Sequence, residues 1–173
     1  MKRGIIGFIN VTSGDVKCAD PGYGTESGMT DIMKMKNGKY LVFLTEHDFG
    51  LYGVRNVELA IVHEDFADDY DTLPFEDAES YGSVDSGCFG FFDLKYYNET
   101  HDKNGPDKAW YQENVISTCH EDWVLTDERG VFASSGFGDG CYDLDILYED
   151  QVDTKNETAV GARVIFIRDV ENF

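Results

Sequence analysis

The chain has 173 residues, 42% hydrophobic and 14% aromatic, with a formal net charge of −20. That apolar share excludes a disordered chain, and the length fits one β-rich domain over 1–173 with a sizeable core. The charge argues against direct nucleic-acid binding, because such a field repels phosphate; it favours solubility, cations or a basic protein partner.

The opening apolar run, from Gly4, is too short and too soon interrupted for a signal peptide, and no stretch approaches the length of a membrane span. A soluble, cytoplasmic protein is expected. Cys18, Cys88, Cys119 and Cys141 lie far apart with no CxxC pair, which argues against a zinc knuckle and against a dense disulfide scaffold. Cys88, Cys119 and Cys141 read as small buried hydrophobes.

Runs rich in β-branched and aromatic residues, parted by Gly, Asn and Asp, predict strands at 4–11, 32–36, 39–45, 57–63, 88–92, 130–134, 141–148 and 162–168. Asn37-Gly38 reads as the turn of a two-residue hairpin joining 32–36 to 39–45. In 141–148, strict alternation turns Tyr142, Leu144, Ile146 and Tyr148 to the core and Asp143 and Asp145 to solvent. Pro106-Asp107 opens a predicted helix over 108–118, and 93–100 is a candidate second, short one. Strands dominate without alternating with helices. The expected class is mainly β, a β-sandwich or bent antiparallel sheet with one or two short helices, α+β being the near alternative.

From Asn56 through Leu94 there is no Lys or Arg. Within that span Glu64, Asp65, Asp68, Asp69, Asp71, Glu76, Asp77 and Glu79 crowd a loop-like stretch, with Phe66, Tyr70 and Phe75 between them. This is either a solvated loop or an interaction surface with aromatic anchors, and an acidic nucleic-acid mimic requires those acids to form one face. Gly4 to Asn10 and Gly87 to Asp93 both read G-x-x-G-F-x-(N/D), which hints at a duplicated strand.

Two Asp-Gly motifs carry the chemistry. The segment Gly136-Phe137-Gly138-Asp139-Gly140 lacks the spacing of a dinucleotide fingerprint or a P-loop; it is a tight turn or a ligand loop. In Val84-Asp85-Ser86-Gly87, read as part of one strand over 83–93, Asp85 shares a face with Phe89 and Phe91 and needs a hydrogen-bond partner. If Asp85 and Asp139 converge, they could hold Ca²⁺ or Mg²⁺ or act as an acid/base pair. Cys119-His120 is a poor nucleophile pair, since catalytic partners are usually remote in sequence.

An Asp-Ser-Gly strand (Asp85-Ser86-Gly87, then Phe91-Phe92-Asp93), a helix with Trp110, and Gly136 to Tyr142 turning into a strand together resemble an uncharacterised family of small bacterial and phage proteins, a domain of unknown function. Asp20-Pro21-Gly22-Tyr23 is similar to a D-P-x-Y element of related phage proteins. The resemblance covers the second half of the chain and implies no activity. The expectation is an acidic accessory or binding protein of bacterial or phage type, with Asp20, Tyr23, Asp85, Asp139 and Tyr142 as its site. A small hydrolase or lyase using Asp85 and Asp139, with or without a divalent cation, is the alternative. The sequence sets no oligomeric state.

Overall fold

Apolar residues at every second position drive this chain into strands whose inner faces meet. In the computed structural model, residues 1–27, 31–102, 105–118, 121–149 and 158–170 are described. They form β1 (Lys2–Val11), β2 (Asp15–Ala19), β3 (Asp31–Lys34), β4 (Gly38–Asp48), β5 (Val54–His63), β6 (Glu76–Val84), β7 (Cys88–Asp93), β8 (His101–Asp102), β9 (Gly105–Pro106), β10 (Trp123–Thr126), β11 (Gly130–Ser134), β12 (Gly140–Tyr148) and β13 (Ala159–Ile165). A six-stranded sheet runs β1-β4-β5-β13-β12-β6 and a five-stranded sheet runs β10-β11-β7-β2-β3; β8 and β9 form a small ladder of their own. Every pairing between named strands is antiparallel.

The two large sheets bury one core, filled by Ile9, Val42, Leu59, Ile61, Leu144 and Val164 from one side and Val16, Cys18, Phe89, Phe91 and Val131 from the other. Helix α1 (Leu94–Thr100) is N-capped by Asp93, which accepts from the Tyr96 amide. Helix α2 (Lys108–Tyr111), capped by Asp107, continues as a π-helical turn over Gln112–Ile116. These helices cover the outside of the five-stranded sheet through Tyr97, Trp110 and Val115 against Phe92 and Phe132. The 3-10 segment Glu64–Thr72 covers the outside of the six-stranded sheet, laying Ala67 and Tyr70 on Phe43, Val62 and Leu147.

Several expectations are corrected here. Asn37-Gly38 does not close a hairpin: β3 and β4 belong to different sheets, so the chain crosses between layers at that point. Gly38 is needed because a Cβ there would sit 2.2 Å from Nε2 of His63. Likewise 83–93 is not one strand. β6 ends at Val84 in one sheet and β7 starts at Cys88 in the other, which leaves Asp85 exposed on the turn rather than beside an apolar face. Strands β2, β6 and β10 were not expected. Asp145 does turn away from the core, yet it is buried, with Arg163 paired to it at 2.7 Å and Arg168 at 4.0 Å. Cys88 is half-buried and Cys141 exposed, not buried hydrophobes; Cys119 and His120 lie outside the described residues.

The topology holds an internal duplication. Strands β1-β2-β3-β4-β5 follow the same path as β6-β7-β11-β12-β13, with β8–β10 and both helices inserted between β7 and β11. A pseudo-two-fold axis passes through the pairs Ala60–Arg163 in one sheet and Cys18–Phe91 in the other. The sequence carries it as V-x-S-G-x5-D-x-x-Y, once from Val11 to Tyr23 and again from Val84 to Tyr96. The shorter echo between Gly4 and Gly87 is a coincidence of composition, since β1 is a sheet edge and β7 is central.

Candidate functional site

The duplication divides the candidate residues into those that hold the fold and those that do not. The two crossings from the six-stranded to the five-stranded sheet, β1 to β2 and β6 to β7, are each a Ser-Gly turn with a left-handed glycine, Gly14 at φ +79° and Gly87 at φ +72°. Each turn is caught by a carboxylate from the other half. Oδ2 of Asp93 accepts from the amides of Thr12 at 2.6 Å and Ser13 at 2.9 Å. Oδ2 of Asp20 accepts from the amides of Asp85 at 2.9 Å and Ser86 at 2.7 Å, while Oδ1 takes the Ser86 hydroxyl at 2.6 Å and the Gly22 amide at 2.8 Å. Both carboxylates are wholly buried. Asp20 is therefore a clasp, with each oxygen already occupied by donors of its own chain.

Tyr142 repeats a second device. Asn37-Gly38-Lys39-Tyr40 and Asp139-Gly140-Cys141-Tyr142 occupy equivalent corners, and each tyrosine hydroxyl donates to the carbonyl four residues back, Lys36 for Tyr40 and Gly138 for Tyr142. The Tyr142 hydroxyl also reaches the Ser135 carbonyl at 2.9 Å. The backbone bonds that lead into the corners match too: the Met35 amide donates to Gly14 and the Ser135 amide to Gly87, both at 2.9 Å.

Asp85 and Asp139 lie just beyond the end of a ladder, and the charges of both act on Tyr23. Gly140 pairs with Val84, so the next positions along the two strands are Asp139 and Asp85. Both are exposed. The Tyr23 hydroxyl donates to Oδ2 of Asp85 at 3.0 Å, and the Tyr97 hydroxyl fixes the Tyr23 carbonyl at 2.7 Å. Local burial, then the bond to Asp85 and the charges of Asp85, Asp20 and Asp139, push the Tyr23 phenol above its usual range. Among the described residues no Arg or Lys forms an ion pair with Asp85 or Asp139. The corner is thus an unneutralised acidic lip on a rigid base. No group of three or more His, Cys, Asp or Glu among the described residues is placed to hold a metal ion.

The same corner in the first half has different chemistry. Val11 pairs with Gly38, and the next positions are Thr12 and Asn37. They border a hollow of about 860 Å³ shared with Tyr96, Asp127 and Arg129. Tyr96, the counterpart of Tyr23, donates to Asp127 at 3.0 Å and accepts from the Trp110 indole at 2.8 Å. Arg129 pairs with Asp93 at 2.6 Å.

The acidic stretch is not a loop with free aromatic anchors. Tyr70 is buried, and Phe66 and Phe75 pack on the outer face of the six-stranded sheet. Its acids are exposed, but Glu64, Asp65 and Asp71 pair with Lys39, Lys36 and Arg3. What the sequence reading overlooked is Phe49-Gly50-Leu51-Tyr52-Gly53, an apolar tip that leaves Leu51 fully exposed and sets Tyr52 beside Phe137 of the Asp139 loop. The signal was present as apolar residues inside a glycine-bounded hairpin loop. No family model, curated protein or solved structure matches this chain.

Proposed function

We propose that this chain is an acidic, non-enzymatic binding protein, of the bacterial or phage accessory type its motifs resemble, which takes a basic protein partner at the corner formed by Tyr23, Asp85 and Asp139. Asp20 and Tyr142 hold the backbone of that corner from below. The observation that carries this reading is the difference between the two corners. The valine, serine, glycine, clasp aspartate and tyrosine recur in both halves, while the exposed pair is Thr12 and Asn37 in one and Asp85 and Asp139 in the other. The fold forms the first corner without carboxylates at those positions, so the lip is an addition that serves recognition. Two exposed carboxylates at the end of one ladder, neither in an ion pair among the described residues, suit a Lys or Arg side chain, and the net charge of −20 steers such a partner inward.

The test is a fluorescence-anisotropy titration with a labelled oligolysine peptide at low and physiological salt. Asp85→Asn with Asp139→Asn should weaken binding about tenfold, the equivalent of roughly 1.4 kcal/mol. Asp68→Asn with Asp69→Asn, which removes the same charge elsewhere, should weaken it far less. Equal losses from the two pairs would reduce the effect to net charge and sink the proposed site.

A further inference from the structure

Resting on that reading, we infer that the tip of the β4–β5 hairpin is the apolar half of the same binding face, and that its occupant is a basic segment carrying a large apolar side chain. Leu51 is 104% exposed, Tyr52 62% and Val54 54%. Apolar side chains held in water this completely contribute nothing to the core. Nor is the loop loose. The Gly50 amide donates to the Asp48 carboxylate at 2.8 Å, the Phe49 amide to the Gly53 carbonyl at 3.0 Å, and the Gly53 amide to the Gly50 carbonyl at 3.0 Å. Phe49 itself is buried beneath the tip. The loop is thus closed on itself and anchored, with Leu51 and Tyr52 aimed outward, so little ordering remains to oppose association.

Two observations fix the chemistry of the occupant. First, the tip joins the acidic lip through the Gly136–Gly140 turn: the ring of Phe137, two residues from Asp139, lies 6.2 Å from Tyr52 and 5.5 Å from Phe49. Second, the far side of the tip is acidic as well. A hollow of about 590 Å³ beside Val54 carries Glu46, Asp48 and Asp122, alongside Met1, Lys2 and His47. Arg55, which reaches over Phe137, is the cation of the tip itself. An apolar centre with carboxylates on two sides is complementary to a positively charged segment with an apolar anchor.

The probes are the oligolysine peptide and the same peptide with two phenylalanines added. The phenylalanine peptide should bind the intact protein about tenfold more tightly, and Leu51→Ser with Tyr52→Ser should erase that advantage while leaving the oligolysine affinity unchanged. Both side chains are exposed, so an unchanged thermal midpoint verifies that the variant folds. If the variant keeps the tenfold advantage, or the intact protein never has it, the inference falls while the acidic-lip reading stands. If neither peptide binds, both fall. If sedimentation shows a dimer that the double substitution dissociates, the occupant is a second copy of this chain and the inference is overturned.

Discussion

In the first half of the molecule the crossing at Thr12-Ser13 is held by Asp93 from the second half; in the second, the crossing at Asp85-Ser86 is held by Asp20 from the first. The two clasps use the same backbone donors but sit in different surroundings. Asp93 also caps α1 and pairs with the Arg129 guanidinium, whereas Asp20 is satisfied by neutral groups alone. Burial by itself would raise the pKa of Asp93. The amides of Thr12, Tyr96 and Ser13 and the guanidinium of Arg129 overcome it and draw the group down to about 2. A repeated sequence element can therefore keep its geometric role while only one copy takes on a charge partner.

The sharpest way to break the comparison is to remove each clasp. Asp93→Ala strands Arg129 and two turn amides and should cost about 4 kcal/mol in urea unfolding. Asp20→Ala leaves three amides without their acceptor and should cost about 3 kcal/mol. A loss below about 1 kcal/mol at either position would mean that the crossings hold without them.

Acid titration separates the clasps next. The folded pKa of Asp93 lies below its ordinary value of 3.8, so its stabilisation is full above about pH 4 and disappears as pH falls through 2. Its size is about 2 kcal/mol, and Asp93→Asn should remove that part of the acid limb of the stability curve. An acid limb unchanged by Asp93→Asn would contradict the assignment.

Tyr40→Phe and Tyr142→Phe test whether the corners are equivalent. Each deletes one hydroxyl that donates to a carbonyl, and each should cost about 1 kcal/mol. A twofold disparity would show that the second corner depends on more than its tyrosine. The smallest effect is expected at the lip. Asp85→Asn with Asp139→Asn should shift stability by less than about 0.5 kcal/mol, since both side chains are exposed. Millimolar Ca²⁺ or Mg²⁺ should leave the thermal midpoint in place; a rise that the paired substitution abolishes would make the corner a divalent-cation site instead.

The β class, most strands of the six-stranded sheet and both helices were legible in the sequence, because alternation and the capping Asp93 and Asp107 act locally. The partner of each strand was not. Asn37-Gly38 has the chemistry of a hairpin turn, yet the buried Met33 of β3 and the buried Tyr40 of β4 belong to different sheets, so tertiary packing opens the turn into a crossing. Strand β2 was overlooked because Asp15 and Lys17 break its apolar character, although Val16 and Cys18 are fully buried. The duplication escaped notice because its identities are confined to turn and clasp positions, where sequence is fixed by backbone geometry, while the core positions between them vary freely: Val16 answers to Phe89, and Cys18 to Phe91. At the site, Tyr23, Asp85 and Asp139 could each be named from their motifs, but whether Asp85 and Asp139 converge stayed open, because that depends on the pairing of β6 with β12. The burial of Asp20 was not, since it depends on a turn 65 residues away.

The pseudo-two-fold axis has a consequence for how the chain reaches its native state. When the first half has emerged from the ribosome, β5 and β2 each present a bare hydrogen-bonding edge, and the strands that close them, β13 and β7, belong to the half still to come. Those same edges exist on every other nascent copy, so exchange of halves between two chains would satisfy each pairing as well as folding within one. Mutual repulsion between chains of charge −20 works against that exchange, and the acidity that attracts a basic partner thereby also guards the molecule against entanglement with itself.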